Sequence, residues 1–384
     1  MTRIYLDHAA TTPARPEAVA AMLPLLRESS FNPSSIHAEG RAARAALDRA
    51  RHAVARVLGA KAREIVFTAS GTESVGLALV GAARAAANRG RHVVTTVAEH
   101  RAVLRAMDVL ESDGWAITRL PVDSAGLIDV DAFSAALRPD TTVASVMLAN
   151  NELGSIAPIA ALAAVARRAG VVFHSDAVQA PGLLALDVTA LGVDLLSISA
   201  HKFYGPKGAG ALYVRSGTPV AAQIVGGSQE FGLRAGTENL AGIAGLAVAL
   251  ELAQAERAAN VVRLAALRDR LEAGITAAIP EVRLNGAGAA RLANVSSIAF
   301  AGVSAATLLV RLDLEGIAAS AGSACAAGSL EPSHVVEALG LPAHYRRGVL
   351  RFSLGHSNTG GETERVIAIL PQLVAEVRGA AAVV

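Results

Sequence analysis

Seven short apolar runs, over 64–67, 91–96, 116–120, 141–148, 171–174, 193–199 and 209–215, alternate with Ala-rich helical stretches. A chain written this way has few folds open to it. Strands buried on both faces read as continuous apolar runs, and the helices between them supply the crossovers that parallel neighbours require. The pattern predicts an α/β domain whose mainly parallel, seven-stranded sheet is flanked by helices on both faces. Ligands collect beyond the carboxyl ends of such strands. Polar residues that directly follow a strand are therefore the first candidates for a site.

The flanking regions read differently. A strand-like entry at 4–6 leads into turn-rich sequence ending Thr11-Thr12-Pro13, and helical patterns follow at 18–26 and 38–58. Between those helices, Phe31-Asn32-Pro33-Ser34-Ser35-Ile36-His37 is a loop by composition. After a loop over 226–239, one long Ala/Leu/Arg-rich helix is expected over 240–278, its second half acting as a domain connector. Strands at 295–300 and 350–353 with helices at 306–315 and 362–378 make the remainder a second, smaller α+β domain, with the N-terminal strand as a candidate member. The expected division is a large domain over 15–256 and a small one formed by 1–14 with 257–384.

A chain of 384 residues, 52% hydrophobic and 18% charged, is globular rather than disordered. Its formal net charge of +2, with Lys and Arg scattered, argues against a nucleic-acid partner. The longest apolar run, 240–250, is well short of the roughly 20 residues a membrane helix needs. No basic region followed by an apolar core opens the chain, so neither membrane insertion nor secretion is expected. The single cysteine, Cys325, cannot form an intrachain disulfide, and a reducing, cytoplasmic setting is expected.

Several strand ends carry chemistry-bearing groups. Ser197-Ile198-Ser199-Ala200-His201-Lys202-Phe203-Tyr204-Gly205-Pro206-Lys207-Gly208 places Lys202 after a His at a strand end, before Gly and Pro stop the strand. A partly desolvated amine beside a cationic neighbour is pushed toward neutrality and attacks carbonyls, the chemistry of Schiff bases; a surface lysine capping the strand is the other reading. In Ala69-Ser70-Gly71-Thr72-Glu73, Ser70 and Glu73 fit a capping box, and a helix start suits a phosphate, although an ordinary capped helix fits equally. The P-loop pattern is absent. Asp176 follows a strand 26 residues before Lys202, where a bare strand-end Asp more often caps a helix. His100 follows another strand, exposed or suited to proton transfer near neutrality.

Cys325 lies in Ser320-Ala321-Gly322-Ser323-Ala324-Cys325-Ala326-Ala327-Gly328-Ser329, small residues that cannot pack a core. This stretch, about 320–332, is expected to be mobile, which favours a reactive thiol over a structural one. Arg351, in Val349-Leu350-Arg351-Phe352-Ser353-Leu354, is costly in an apolar strand without an anionic partner, and its planar guanidinium suits an α-carboxylate. His52 and His92 are expected at the surface.

The motif Ser-Ala-His-Lys-Phe-Tyr-Gly-Pro-Lys-Gly at 199–208 resembles the pyridoxal-phosphate lysine motif of the cysteine desulfurases, members of the class V aminotransferase group. The likeness runs from Tyr5-Leu6-Asp7-His8-Ala9-Ala10-Thr11-Thr12-Pro13 to Leu350-Arg351-Phe352-Ser353-Leu354-Gly355. It implies the fold of the type I pyridoxal-phosphate transferases and pyridoxal 5'-phosphate as cofactor. By resemblance, Gly71, Thr72, Ser199 and His201 hold the cofactor phosphate, joined by Thr237 from the partner subunit of a homodimer. Asp176 faces the ring nitrogen, Gln179 and Asn151 the phenolic oxygen, and His100 stacks on the ring and assists proton transfers. Lys202 links covalently to the cofactor and removes the substrate's α-proton, while Arg351, with Asn151, binds substrate.

The implied reaction converts L-cysteine to L-alanine, with Cys325 receiving the sulfur as a persulfide for an iron–sulfur assembly scaffold or another sulfur acceptor. No metal is implied. A selenocysteine lyase or aminotransferase of the same group is the alternative, and a non-catalytic partner-binding protein of the same fold a third reading. Gly76 stands where the resemblance leads one to expect Asn, Ala326 and Ala327 replace hydroxyl-bearing neighbours of the cysteine, and Phe231 stands where Arg is common. These departures bear on loop behaviour and rate.

Overall fold

All seven predicted runs form strands of one sheet in the computed structural model, which describes residues 3–27, 31–322 and 332–381. In chain order the strands are β1 (Ile4–Tyr5), β2 (Ile65–Thr68), β3 (His92–Thr96), β4 (Ala116–Leu120), β5 (Thr141–Ser145), β6 (Val172–Asp176), β7 (Leu195–Ser199), β8 (Gly210–Val214), β9 (Val282–Asn285), β10 (Val295–Phe300), β11 (Ile317–Ala318) and β12 (Val349–Ser353). The large sheet runs β2-β8-β7-β6-β5-β3-β4. Only β8 runs against the others. The ten residues 200–209 between β7 and β8 are too few for a helical crossover, so β8 must turn back beside β7.

Helices cover this sheet, and every residue of β2, β3, β5, β6, β7 and β8 is buried. That double burial is why these strands lack polar alternation. It also corrects the expectation for His92, which is fully buried between two strands rather than exposed. Its ring nitrogens lie 2.7 Å from Thr141 Oγ1 on β5 and 2.9 Å from Thr118 Oγ1 on β4. Hydroxyls on both neighbours satisfy an imidazole that would otherwise be costly inside a sheet. His52 is exposed on the Ala38–Leu58 helix.

The Leu240–Ala278 helix has 39 residues, about 58 Å at 1.5 Å per residue. Leu240 to Ala253 contribute buried positions to the core under the large sheet, whereas Leu264, Leu271 and Ile275 belong to a second core. No residue of this helix is buried between Ala253 and Leu264. The second core underlies the antiparallel sheet β12-β10-β9. β1 pairs in parallel with β11, and Asp7 bridges Ser353 at the end of β12, so the N-terminal strand joins this unit. Among the described residues no helix is long and apolar enough to cross a membrane.

Candidate active site

A cavity of about 220 Å³ opens beyond the carboxyl ends of β2, β3, β6 and β7. Ser70, Gly71, Thr72, His100, Asn151, Asp176, Gln179, Ser199, His201, Lys202 and Arg351 line it. Ten of the twelve site residues singled out in the sequence thus meet in one place, although Gly71 and Arg351 are 280 positions apart in the chain.

One wall is a helix start. Ser70 Oγ accepts the Glu73 N–H at 3.1 Å as the helix cap, but Glu73 Oε2 accepts the N–H of Ala69, at 2.9 Å, rather than that of Ser70, so the expected capping box is only half formed. The Gly71–Ala85 helix therefore presents its N-terminus to the cavity. At Gly71 an added Cβ would lie 2.8 Å from Val178 Cγ2 and 3.2 Å from Ser199 Cβ, so only glycine lets the backbone sit this low in the cradle.

Lys202 ends the single turn Ala200–Lys202 that follows β7. Its Nζ donates to Ala9 O at 2.6 Å and Ala10 O at 2.9 Å. The N-terminal segment is laced to the same turn: Thr12 N–H donates to His201 O at 2.8 Å, and the Tyr204 N–H donates to Thr12 Oγ1 at 2.7 Å. His201 Nδ1 lies 3.1 Å from Thr11 Oγ1. Gln179 Nε2 also donates to Ala9 O, at 2.9 Å.

Asp176 ends β6, and its Oδ1 accepts the Val178 N–H at 2.9 Å. Burial pushes its carboxyl above the usual carboxylate range, against the pull of His100, this N–H and Lys202. His100 caps the Arg101–Ser112 helix, its Nδ1 accepting the Ala102 N–H at 3.1 Å. A ring accepting at Nδ1 carries its proton at Nε2. Burial holds the His100 pKa below its ordinary value, opposed by Asp176 and reinforced by Lys202, so a neutral ring lines the cavity.

Arg351 is 1% exposed in the middle of β12. Its Nη1 donates to Asn151 O at 2.8 Å and its Nη2 to Asp7 Oδ1 at 2.7 Å. Asn151 is held in a turn by Asn150, whose Oδ1 accepts the Glu152 and Leu153 N–H groups at 2.9 and 3.0 Å. Gly154, with φ +77°, closes that turn.

Three acids behind the cavity lining were not singled out: Asp7, which pairs with Arg351, and Glu99 and Glu152, which adjoin His100 and Asn151 in the chain. An acid after a strand or in a turn reads as exposed. Glu99 is fully buried, its Oε1 accepting from Thr96 Oγ1 at 3.1 Å and the Met147 N–H at 2.9 Å, and burial pushes its pKa up to about 8. Glu152 is 1% exposed.

Two predicted residues are not among the described lining of this cavity. Thr237 is exposed and does not line this cavity. Cys325, with Ala326 and Ala327, lies outside the described residues. A Cβ on Gly76 would meet open space. Phe231 is half-exposed at φ 60°, its ring centre 5.0 Å from the Arg51 guanidinium carbon, which also covers Phe67 at 4.8 Å. Arg51 in turn forms a buried, two-bond pair with Glu230.

The donor set fits pyridoxal 5'-phosphate. The helix start, Ser199 and His201 suit its phosphate, Lys202 its aldehyde, the neutral His100 ring its π-face. The buried Asp176 carboxylate, held at an unfavourable potential by desolvation, suits a protonated ring nitrogen. Among the described residues no three His, Cys, Asp or Glu side chains cluster to hold a metal.

The family model described as Aminotransferase class-V matches residues 4–366. The chain is 48% identical over 375 residues to "Cysteine desulfurase IscS" of Dictyoglomus turgidum, covering 98% of this chain and 95% of that protein. It is 45% identical over 379 residues to "Cysteine desulfurase NifS" of Azotobacter vinelandii, covering 98% and 94%. Among solved structures, "NIFS-LIKE PROTEIN" superimposes with a TM-score of 0.92 at 34% identity over 98% of this chain and all of the other. "SspA in complex with cysteine" does so with a TM-score of 0.80 at 35% identity over 92% and 99%. With a family model spanning nearly the whole chain and full-length relatives at these identities, the chain belongs to the aminotransferase class-V family, among its cysteine desulfurases.

Proposed function

We propose that this protein is a pyridoxal-phosphate-dependent cysteine desulfurase that converts L-cysteine to L-alanine and receives the sulfur on Cys325. The observation that carries the reading is the single cavity where an amine, a buried carboxylate, a helix N-terminus and a buried guanidinium converge. The cofactor, when bound, supplies a carbonyl for amines and an electron sink for the substrate's α-carbon.

The chain's own groups do the rest. The Gly71–Ala85 helix start, Thr72, Ser199 and His201 hold the phosphate, and Asp176 holds a proton on the ring nitrogen. Gln179 and Asn151 bond the phenolic oxygen, and His100 covers the ring face. Arg351 grips the substrate α-carboxylate, placing the α-proton within reach of Lys202 Nζ, which removes it. Cys325 Sγ then takes the substrate's sulfur: the substrate C–S bond breaks, an S–S bond forms, and L-cysteine plus thiol become L-alanine plus persulfide. The persulfide passes to an iron–sulfur assembly scaffold or another sulfur-acceptor protein.

The reading extends to a cytoplasmic homodimer in which exposed Thr237 reaches the partner subunit's phosphate, and to a division at 256/257, within the unburied middle of the long helix. To test the activity, the holoprotein is given L-cysteine and dithiothreitol, and alanine and sulfide are measured. Both are expected in equal amounts; cofactor-loaded protein that makes neither refutes the activity. Cys325→Ala is expected to stop sulfide release while the visible absorption of the cofactor persists. Borohydride is expected to fix the cofactor on Lys202.

A further inference from the structure

A second cavity, of about 40 Å³, lies where the two cores meet. Ala253, the last buried residue of the long helix under the large sheet, and Leu264, the first under the smaller one, both line it. Lys202 and Gln179 line this cavity and the active-site cavity alike. The two share residues 8–10 as a wall: His8 lines the second cavity, whereas Ala9 and Ala10 line the first. The carbonyls of Ala9 and Ala10 are those that accept from Lys202 Nζ, at 2.6 and 2.9 Å.

His8 is the anomaly in that wall. It is 3% exposed, and neither ring nitrogen has a hydrogen-bond partner among the described residues. Its position is fixed all the same: its backbone N–H donates to Ser353 O at 3.1 Å, and Tyr5 meets its ring edge-on at 4.9 Å. Asn294, buried in the lining of the same cavity, donates through Nδ2 to Leu354 O at 3.2 Å, but its Oδ1 is also unpartnered among the described residues. Buried polar atoms are rarely left so, and a cavity of this size has room for about three waters at ~10–15 Å³ each. Burial, with His356 close by, pushes the His8 pKa down to about 4, so the ring is neutral, one nitrogen donating and the other accepting. Such a ring binds water well and carries a proton poorly. Glu256, which accepts from Arg15 Nη2 at 2.8 Å and has a side chain 41% exposed, lines the cavity too, so the site reaches from Lys202 to solvent.

Resting on the proposed role of Lys202 as base, we infer that this cavity is an internal water site through which Lys202 trades protons with solvent, and that His8 is the positioning residue that holds the water there. The Lys202 ammonium gives one N–H proton to a cavity water, which passes one of its own outward past Glu256. A solvent proton returns by the same route, so no electrons move and no net charge is left behind. Turnover itself does not need this exchange, because L-cysteine plus thiol already contain every hydrogen of L-alanine plus persulfide. His8 therefore governs where the product's hydrogens come from rather than how fast the product forms.

The test compares wild type, His8→Phe, His8→Gln and Asn294→Leu as holoproteins. Each is given L-alanine in D2O, and loss of the α-proton is followed by NMR, a reaction that needs no sulfur chemistry. His8→Phe keeps a ring without nitrogens and is expected to slow this exchange about fivefold, the worth of one hydrogen bond. Its kcat and KM for alanine formation from L-cysteine are expected to stay within about twofold of wild type. His8→Gln restores a donor and an acceptor and is expected to recover most of the exchange. Exchange in His8→Phe as fast as in wild type, or slowed in step with kcat, overturns the inference. If His8→Phe does not fold, Asn294→Leu decides by the same comparison of exchange with kcat. Urea unfolding needs no turnover: with water bonded to His8, His8→Phe is expected to be no more stable than wild type, whereas a more stable His8→Phe means a dry cavity and refutes the site. A wild type that leaves the α-proton in place also sinks the proton route, but one that exchanges it and makes no alanine from L-cysteine sinks only the desulfurase reading.

Discussion

Arg351 Nη2 donates to Asp7 Oδ1 across 2.7 Å, so the guanidinium proposed to bind substrate already has an anionic neighbour from the opposite end of the chain. The pair solves a folding problem. A charge 1% exposed inside an apolar strand needs a counter-charge in the resting protein, and Asp7, reached through the β1–β11 pairing, supplies it. What remains of the fork is available to a carboxylate. Replacing Arg351 by Lys keeps the charge but loses the fork. At about 1.5–3 kcal/mol for a hydrogen bond to a charged group, KM for L-cysteine should rise roughly tenfold to a hundredfold. Steady-state alanine formation checks this; an unchanged KM would remove Arg351 from the substrate site.

Apart from the cofactor, Asp176 accepts the Val178 N–H, which asparagine can also do through its carbonyl oxygen. Asp176→Asn should therefore fold and load cofactor on Lys202, but lose the charge that holds a proton on the ring. A loss in kcat of about a hundredfold or more is expected, the scale seen when one preorganised electrostatic partner is removed. The measurement is single-turnover alanine formation with matched cofactor content.

Gly71→Ala tests the cradle. The new methyl would press on Val178 and Ser199 at 2.8 and 3.2 Å, lifting the helix start away from the floor where the phosphate sits. Helix propensity favours alanine by about 1 kcal/mol, but the close contacts cost about 1–3 kcal/mol, so thermal stability without cofactor should hold or fall slightly. Cofactor affinity should nonetheless fall about tenfold in fluorescence titration. A variant that binds as tightly as wild type would place the phosphate elsewhere.

The seven-stranded sheet and the limits of the long helix, 240–278, were legible because burial and periodicity are local signals. The lysine turn, the helix cap at Ser70 and the strand-end Asp176 were legible because each follows a strand. What sequence could not show are the partners. Asp7 looked like part of a turn, and only the pairing of β1 with β11 brings it to Arg351. His92 looked like a surface residue because its satisfying hydroxyls, Thr118 and Thr141, lie on two other strands. Glu99 and Glu152 were hidden for the same reason, since a carboxylate's burial is set by what folds over it.

Glu99 and the equally buried His174 give stability a pH dependence of two opposite signs. His174 bonds Ser145 Oγ and Ser197 Oγ, each at 2.9 Å, and burial pushes its pKa down to about 3. Below about pH 6.5 the unfolded chain protonates this ring and the native protein does not, so stability falls as pH falls, by about 1.4 kcal/mol per unit. Burial raises Glu99 to about 8, with the Met147 N–H opposing and Asp176 assisting. Between about pH 4.5 and 8 the native protein keeps a proton there that the unfolded chain has lost, so stability falls as pH rises, by the same amount per unit. From 4.5 to 6.5 the two slopes cancel, and from 6.5 to 8 Glu99 acts alone, costing about 2 kcal/mol. Glu99→Gln keeps the shape and neutrality of the native group but removes the unfolded chain's ionisation. Urea unfolding at pH 6.5 and pH 8 should show the wild type losing about 2 kcal/mol more than Glu99→Gln; parallel losses in the two proteins would mean that Glu99 is ionised in the folded state.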